Sequence, residues 1–136
     1  MSMAAEEFDA KQVTTYWQAE AEESLRVADH LVEKADYSYA LFFGHLAIEK
    51  ILKALYAARF REHAPPIHNL LRLAQAVKLE LDEARTDSLI TITAFNIEAR
   101  YPDVKRAFRQ KCTAEYTECQ MAIIKELFKW LQSQLP

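Results

Sequence analysis

The chain has 136 residues, enough for one domain with a single core, and 51% of its residues are apolar against 27% charged. Its formal net charge of −3 at pH 7 argues against a protein that coats nucleic acid through general positive charge. Gly44 is the only glycine in the sequence. Because β-sheet proteins use glycine in their many turns, this composition excludes an all-β fold and predicts a few long helices.

The first two predicted helices come from the spacing of apolar residues. One runs from about residue 8 to 34, where apolar side chains recur at steps of three and four. The next follows a predicted N-cap at Asp36 and extends to about residue 61. Its apolar residues are spread widely around the helix, so we expect it to be the central helix of a bundle.

Three more helices are predicted after Pro65 and Pro66, which cannot continue the second helix. They span about residues 68–78, 82–99 and 113–134. The stretch "SLITITAFNI" is rich in β-branched residues, but a lone strand would have no partner here, so we assign it to the fourth helix. The predicted fold class is all-α, with five helices and residues 1–136 as one domain.

The sequence predicts neither export nor a metal site. Its start, "MSMAAEEFDA", is acidic where a signal peptide is basic, and its most apolar stretch contains Glu49, Lys50 and Lys53, so we expect a cytoplasmic protein without a membrane span. His45 and Glu49 lie one helical turn apart. Since no HExxH or CxxC motif is present, we expect a hydrogen-bonded pair rather than a metal site, and no cofactor.

Charge is unevenly distributed along the chain. Residues 1–25 hold six acidic side chains and one basic, whereas residues 99–111 hold five basic side chains and one acidic. Pro102 should end the fourth helix at or before Tyr101, which leaves Arg100 at a helix C-terminus, where a cation is favourable. Two interpretations stay open, a structural helix end or an anion site. Asp103 could cap a new turn or pair with a neighbouring arginine.

The order of motifs resembles the HEPN family, the higher-eukaryote and prokaryote nucleotide-binding domain. The resemblance rests on a first helix with Trp17, on "AIEKILKAL" at residues 47–55, and on "PPIHNLLRL" followed later by "RYPD", and it covers about residues 12–134. It implies an antiparallel four- to five-helix up-and-down bundle that forms a homodimer with a functional cleft at the dimer interface. It also implies a minimal nucleotidyltransferase as a partner.

Several branches of that family are metal-independent ribonucleases, whose signature is an arginine followed a few residues later by a histidine. In this sequence the positions expected for that histidine, counted from Arg100, hold Lys105, Arg106 and Ala107. Lysine has an ordinary pKa of about 10.4, so it is a poor base at neutral pH unless its amino group is desolvated. His68 could replace the histidine, but nothing in the sequence places it near Arg100.

Three functional hypotheses follow. The first is a homodimer that binds nucleotide or RNA phosphate without catalysis, through a surface that we call the basic corner: Arg100, Tyr101, Asp103, Lys105, Arg106 and Arg109. The second is a ribonuclease that uses Arg100 with His68 or Lys105. The third is an interaction module whose basic residues only dock an acidic protein. The family resemblance favours the first over the third, and the missing histidine disfavours the second, so we favour the first.

Overall fold

The computed structural model describes residues 8–136, which form six α-helices, one short 3-10 helix and no strands. Glu6 and Glu7 of the acidic N-terminal segment lie outside this range. The α-helices are α1 (Ala10–Glu33), α2 (Tyr37–Phe60), α3 (Leu70–Val77), α4 (Glu83–Thr93), α5 (Pro102–Lys111) and α6 (Ala114–Ser133), and the 3-10 helix is Ile97–Ala99. The predicted all-α bundle is therefore confirmed.

Helix α2 is the centre of the fold, as predicted. A three-residue turn joins it to α1, so that the two 24-residue helices pack as a hairpin, and α2 also contacts each of the other helices. Asp36 is its N-cap residue, although the Asp36 side chain makes no capping hydrogen bond. Aliphatic side chains on several sides of α2 are fully buried, among them Leu41, Ile48 and Leu52.

Gly44 lies in the middle of α2 rather than in a turn. A Cβ atom placed there would come within 2.7 Å of the Cδ1 atom of Ile124 on α6. The missing side chain thus permits close packing between α2 and α6. Helix ends that need a left-handed residue use other types instead, namely Ala35, Arg61 and Lys78.

The fourth helix is shorter than the predicted 82–99. It ends at Thr93, and the chain turns before entering the 3-10 helix. The reason is visible in the core, where Phe95 and Ile97 are both buried. Two residues apart, these side chains would point about 200° apart on a continuous helix, so it could not direct both into one core.

Helix α5 is absent from the sequence prediction, which assigns no element to residues 102–111. Pro102 occupies its first turn, where a missing N–H leaves no helical hydrogen bond unmade. Phe108 holds the helix against the bundle, because its ring lies 5.5 Å from that of buried Phe95, centroid to centroid. Lys105, Arg106 and Arg109 of the basic corner consequently lie on a helix with one packed side, whereas Arg100 and Tyr101 precede that helix.

Large aromatic side chains would favour assembly with a partner if they were exposed. Phe95 is buried within the chain, whereas Phe42 and Trp130 are half-buried. Within residues 8–136, no helix combines the length and apolarity that crossing a bilayer requires.

Candidate functional site: the basic corner and an adjoining histidine cluster

Helix α5 places three cations of the basic corner on one side. At about 100° per residue, Lys105, Arg106 and Arg109 fall within about 100° of the helix circumference. Phe108 and buried Cys112 mark the neighbouring side that packs on the bundle. Arg106 and Arg109 are exposed and Lys105 is half-buried, so the charged groups form a ridge along the helix.

The described part of the chain provides no ion-pair partner for these cations. Among residues 8–136, no salt bridge includes Arg100, Lys105, Arg106 or Arg109. Elsewhere the protein does pair its charges on helix surfaces, as Arg26 does with Glu23 and Lys125 with Asp29. The ridge therefore keeps a positive field that an external anion can neutralise.

Asp103 and Tyr101 shape the start of α5. Among the described residues, Asp103 neither caps this helix nor pairs with Arg100 or Arg106. The N-cap residue is Tyr101, and Asp103 lies in the first turn. Its negative carboxylate is favourable near the positive end of the helix dipole, and it repels other anions from that end. The Tyr101 side chain beside it is 80% exposed.

His68 lies at a second cluster, where its Nδ1 donates a hydrogen bond of 2.9 Å to Oε1 of Glu49. The other oxygen of Glu49 accepts from Nζ of Lys53 at 3.1 Å. Glu49 is buried, whereas the His68 side chain is 65% exposed. Local sequence patterns carry no sign of this pair, because 19 residues and a proline turn separate the two positions.

His45 completes the cluster, which we call the histidine cluster: His45, Glu49, Lys53 and His68. The predicted hydrogen bond between His45 and Glu49 is wrong, because the nearest atoms are 3.9 Å apart. Nε2 of His45 instead donates to the backbone carbonyl of His68 at 3.2 Å. The loop before α3 is therefore held twice on α2, through the His68 carbonyl and through its imidazole.

Because His45 is buried, the free energy of unfolding should decrease at low pH. Burial lowers the pKa of His45, against smaller opposing effects of the His68 carbonyl and Glu49. Since the folded state holds His45 neutral, the unfolded chain binds a proton more readily below its ordinary pKa of 6.5. The contribution of neutral His45 to the stability of the fold is complete above pH 6.5. It is lost as pH falls toward the lower pKa that His45 has in the folded state.

Urea unfolding at several pH values tests this expectation, with His45→Gln as the comparison because the amide can still donate to the His68 carbonyl. The wild type should lose more stability than His45→Gln as pH falls below 6.5. Parallel pH curves for the two proteins would contradict it.

The histidine cluster borders the segment that leads into the basic corner. His45, Glu49 and His68 line one concavity with Asn96, Glu98 and Ala99, and Ala99 directly precedes Arg100. The Leu70 backbone N–H, at the start of α3, donates a hydrogen bond of 3.0 Å to Oγ1 of Thr93 at the end of α4, which holds the two helix ends together. The structure thus brings His68 close to the start of the corner.

Arg109 lies elsewhere, because it lines a groove with Asp36 at the turn between α1 and α2. The concavity that His68 lines does not include Arg109, Lys105 or Arg106. Within residues 8–136, no group of three or more His, Cys, Asp or Glu side chains is arranged to hold a metal ion.

Comparison with known proteins agrees with this architecture. The fold is similar to the crystal structure of TT1696 from Thermus thermophilus, with a TM-score of 0.76 and 23% sequence identity over 90% of this chain and 98% of that chain. Among curated proteins, none matches the sequence significantly. The family model of the HEPN domain matches residues 14–134, nearly the whole chain. The protein therefore belongs to the HEPN domain family.

Proposed function

We propose that this protein binds phosphate groups of a nucleotide or RNA at its basic corner and does not cleave what it binds. One observation carries the proposal: Arg100, Lys105, Arg106 and Arg109 lie within ten residues, and none has an ion-pair partner among residues 8–136. Guanidinium groups bind phosphate through two parallel hydrogen bonds. Bound phosphate would relieve the mutual repulsion of these side chains.

Exposed Tyr101 suits the same ligands. In the chain it stands between Arg100 and the first turn of α5, and a nucleobase can stack on an exposed tyrosine ring regardless of base identity. Asp103 repels phosphate from the helix N-terminus. The phosphate is therefore expected against Arg100 and the ridge of Lys105, Arg106 and Arg109.

The proposal includes assembly as a homodimer that works with a nucleotidyltransferase. Membership in the family supports both partners.

A specific observation favours ribonuclease activity as the second candidate function. With Nδ1 donating to Glu49, neutral His68 carries its lone pair on Nε2, the arrangement of a general base. It could accept the proton of a ribose 2′-hydroxyl while the 2′-oxygen bonds to phosphorus and the 5′-oxygen leaves with a proton from water. Arg100 would then stabilise the charge that develops on phosphate.

Incubation with end-labelled single-stranded RNA in chelator separates these functions when the products are resolved on native and denaturing gels. We expect a shifted, intact RNA with the wild type and a weaker shift with Arg100→Ala. Arg72→Ala removes an exposed arginine on α3 and serves as the matched control. Cleavage that disappears in Arg100→Ala and in His68→Ala would replace the binding function by the nuclease.

A further inference from the structure

The groove at the turn between α1 and α2 contains polar groups that the fold leaves unused. We call it the turn groove: residues 35–39 with Arg109 and Cys112 from the end of α5. Its volume is about 400 Å³, against about 300 Å³ for the concavity that His68 lines. It shares only Arg109 with the basic corner, so phosphate binding does not account for its other groups.

The start of α2 provides backbone donors at this groove. Asp36 is the N-cap residue, but its side chain makes no capping hydrogen bond, whereas the N-cap side chains of α1, α3, α4 and α6 each accept one. First-turn N–H groups have no partner within their own helix. Among residues 8–136, no cap or loop hydrogen bond includes the N–H of Ser38 or Tyr39. An anion placed here would accept from them, and the dipole of a 24-residue helix favours it.

A buried hydroxyl at the same place also lacks a partner. Ser38 is only 6% exposed, and its Oγ makes no hydrogen bond with the described residues. Since Ser38 lines the turn groove and its Oγ is not enclosed as the unpaired Oγ1 of Thr117 is, a ligand in the groove can reach it. Buried hydroxyls normally have a hydrogen-bond partner, so this one indicates a missing acceptor.

The neighbouring thiol does not oppose a negative ligand. Cys112 is 7% exposed, and burial raises the pKa of its thiol to about 11. The side chain is therefore uncharged at neutral pH.

Two opposite charges line the turn groove without neutralising each other. Asp36 and Arg109 are both exposed, yet within residues 8–136 no salt bridge joins them or pairs either with another residue. A ligand that carries one group of each sign can bind both side chains at once. A phosphate dianion, in contrast, would be attracted by Arg109 and repelled by Asp36.

We propose that the turn groove binds a small zwitterion with a free carboxylate and a free ammonium group, the charge pattern of an amino acid. The carboxylate accepts hydrogen bonds from the N–H groups of Ser38 and Tyr39, from the Ser38 hydroxyl and from the Arg109 guanidinium. The ammonium group donates to Asp36. This site goes beyond the phosphate role of the basic corner and does not depend on it.

NMR titration of the ¹⁵N-labelled protein tests the inference through the backbone amide signals of Ser38 and Tyr39. The probes are L-alanine, propionate, which lacks the ammonium group, ethylamine, which lacks the carboxylate, and inorganic phosphate. We expect saturable shifts with L-alanine, and an affinity at least about tenfold lower for propionate, the effect of one charge-assisted hydrogen bond. Ethylamine should leave both signals unshifted.

The other outcomes contradict the proposal in distinguishable ways. Equal affinities for L-alanine and propionate would reduce the turn groove to an anion site in which Asp36 has no role. Phosphate binding there more tightly than L-alanine would assign the groove to the basic corner. Absence of shifts with every probe would reject a ligand site at the start of α2.

Three variants provide a second arm. Asp36→Asn should lower the affinity for L-alanine to that for propionate without weakening propionate itself. Arg109→Gln should weaken both ligands about tenfold and Ser38→Ala about threefold, because each removes a donor to the carboxylate. Arg72→Gln removes the same charge as Arg109→Gln from an exposed position on α3 and should change neither affinity.

Thermal unfolding verifies that each variant is folded. An affinity for L-alanine that stays the same in Asp36→Asn, Arg109→Gln and Ser38→Ala would refute the inference. Equal losses in Arg109→Gln and Arg72→Gln would do so as well, because net charge alone would then explain the binding.

Discussion

Glu49→Ala should destabilise the protein by about 3–5 kcal/mol, the usual result of removing one partner from a buried ion pair. The ammonium group of Lys53 loses its carboxylate while its side chain is only 12% exposed, and a ring of Trp17 at 5.2 Å offers only partial compensation. His68 simultaneously loses the bond that fixes its loop on α2. Equilibrium unfolding in urea measures the loss.

Two variants make this measurement specific. Glu49→Gln keeps the volume and an acceptor for Lys53, so its loss should be smaller than that of alanine. Glu118→Ala removes an exposed glutamate on α6 and should change the free energy of unfolding by no more than about 0.5 kcal/mol. A loss below about 1 kcal/mol for Glu49→Ala, well under the usual cost of breaking a buried pair, would show that the cluster does not stabilise the fold.

The double variant Arg100→Ala/Arg106→Ala should lose at least about tenfold in affinity for single-stranded RNA at moderate salt. Each arginine contributes charge-assisted hydrogen bonds, and such bonds contribute about 1.5–3 kcal/mol each. Fluorescence anisotropy with a labelled oligonucleotide measures the change.

The control for this pair is Arg72→Ala/Lys129→Ala, which removes the same charge from exposed positions on α3 and α6. If binding depended only on net charge, both double variants would weaken it equally. Equal losses would therefore remove the basic corner from its proposed role, even though RNA binding persisted.

The helices that the sequence predicts well are those with long, regular apolar patterns. The end of α2 near residue 61 and the span of α6 follow from local spacing and from the prolines after α2. Local patterns also indicate that charge concentrates near Arg100. These features depend on neighbours along the chain, which a single sequence displays.

The errors in the helix assignment concern residues 94–111, where local signals conflict. The apolar run through Phe95 and Ile97 suggests a helix, although a two-residue spacing of buried side chains is incompatible with one helix face. Pro102 indicates that a preceding helix ends, but proline is also favoured at the first position of a new helix. Pro at a first helical position, followed by Asp103 and a later Phe108, also predicts a new helix, and this signal is present in the sequence.

The histidine cluster could not be predicted in the same way. The prediction pairs His45 with Glu49 because four residues separate them on one helix. Glu49 instead accepts a hydrogen bond from His68 in the loop before α3. The path of that loop depends on Pro65, on Pro66 and on the hydrogen bond between Leu70 and Thr93. Such a contact depends on tertiary packing, and no local spacing encodes it.

The salt dependence of RNA binding tests the phosphate role of the basic corner most directly. The logarithm of the binding constant should fall linearly with the logarithm of salt concentration, with a slope of about −0.7 for each phosphate contacted on a single strand. Arg100→Ala/Arg106→Ala should reduce the steepness by about 1.4, because two contacts are lost. A slope unchanged by the double variant would mean that these arginines do not contact phosphate.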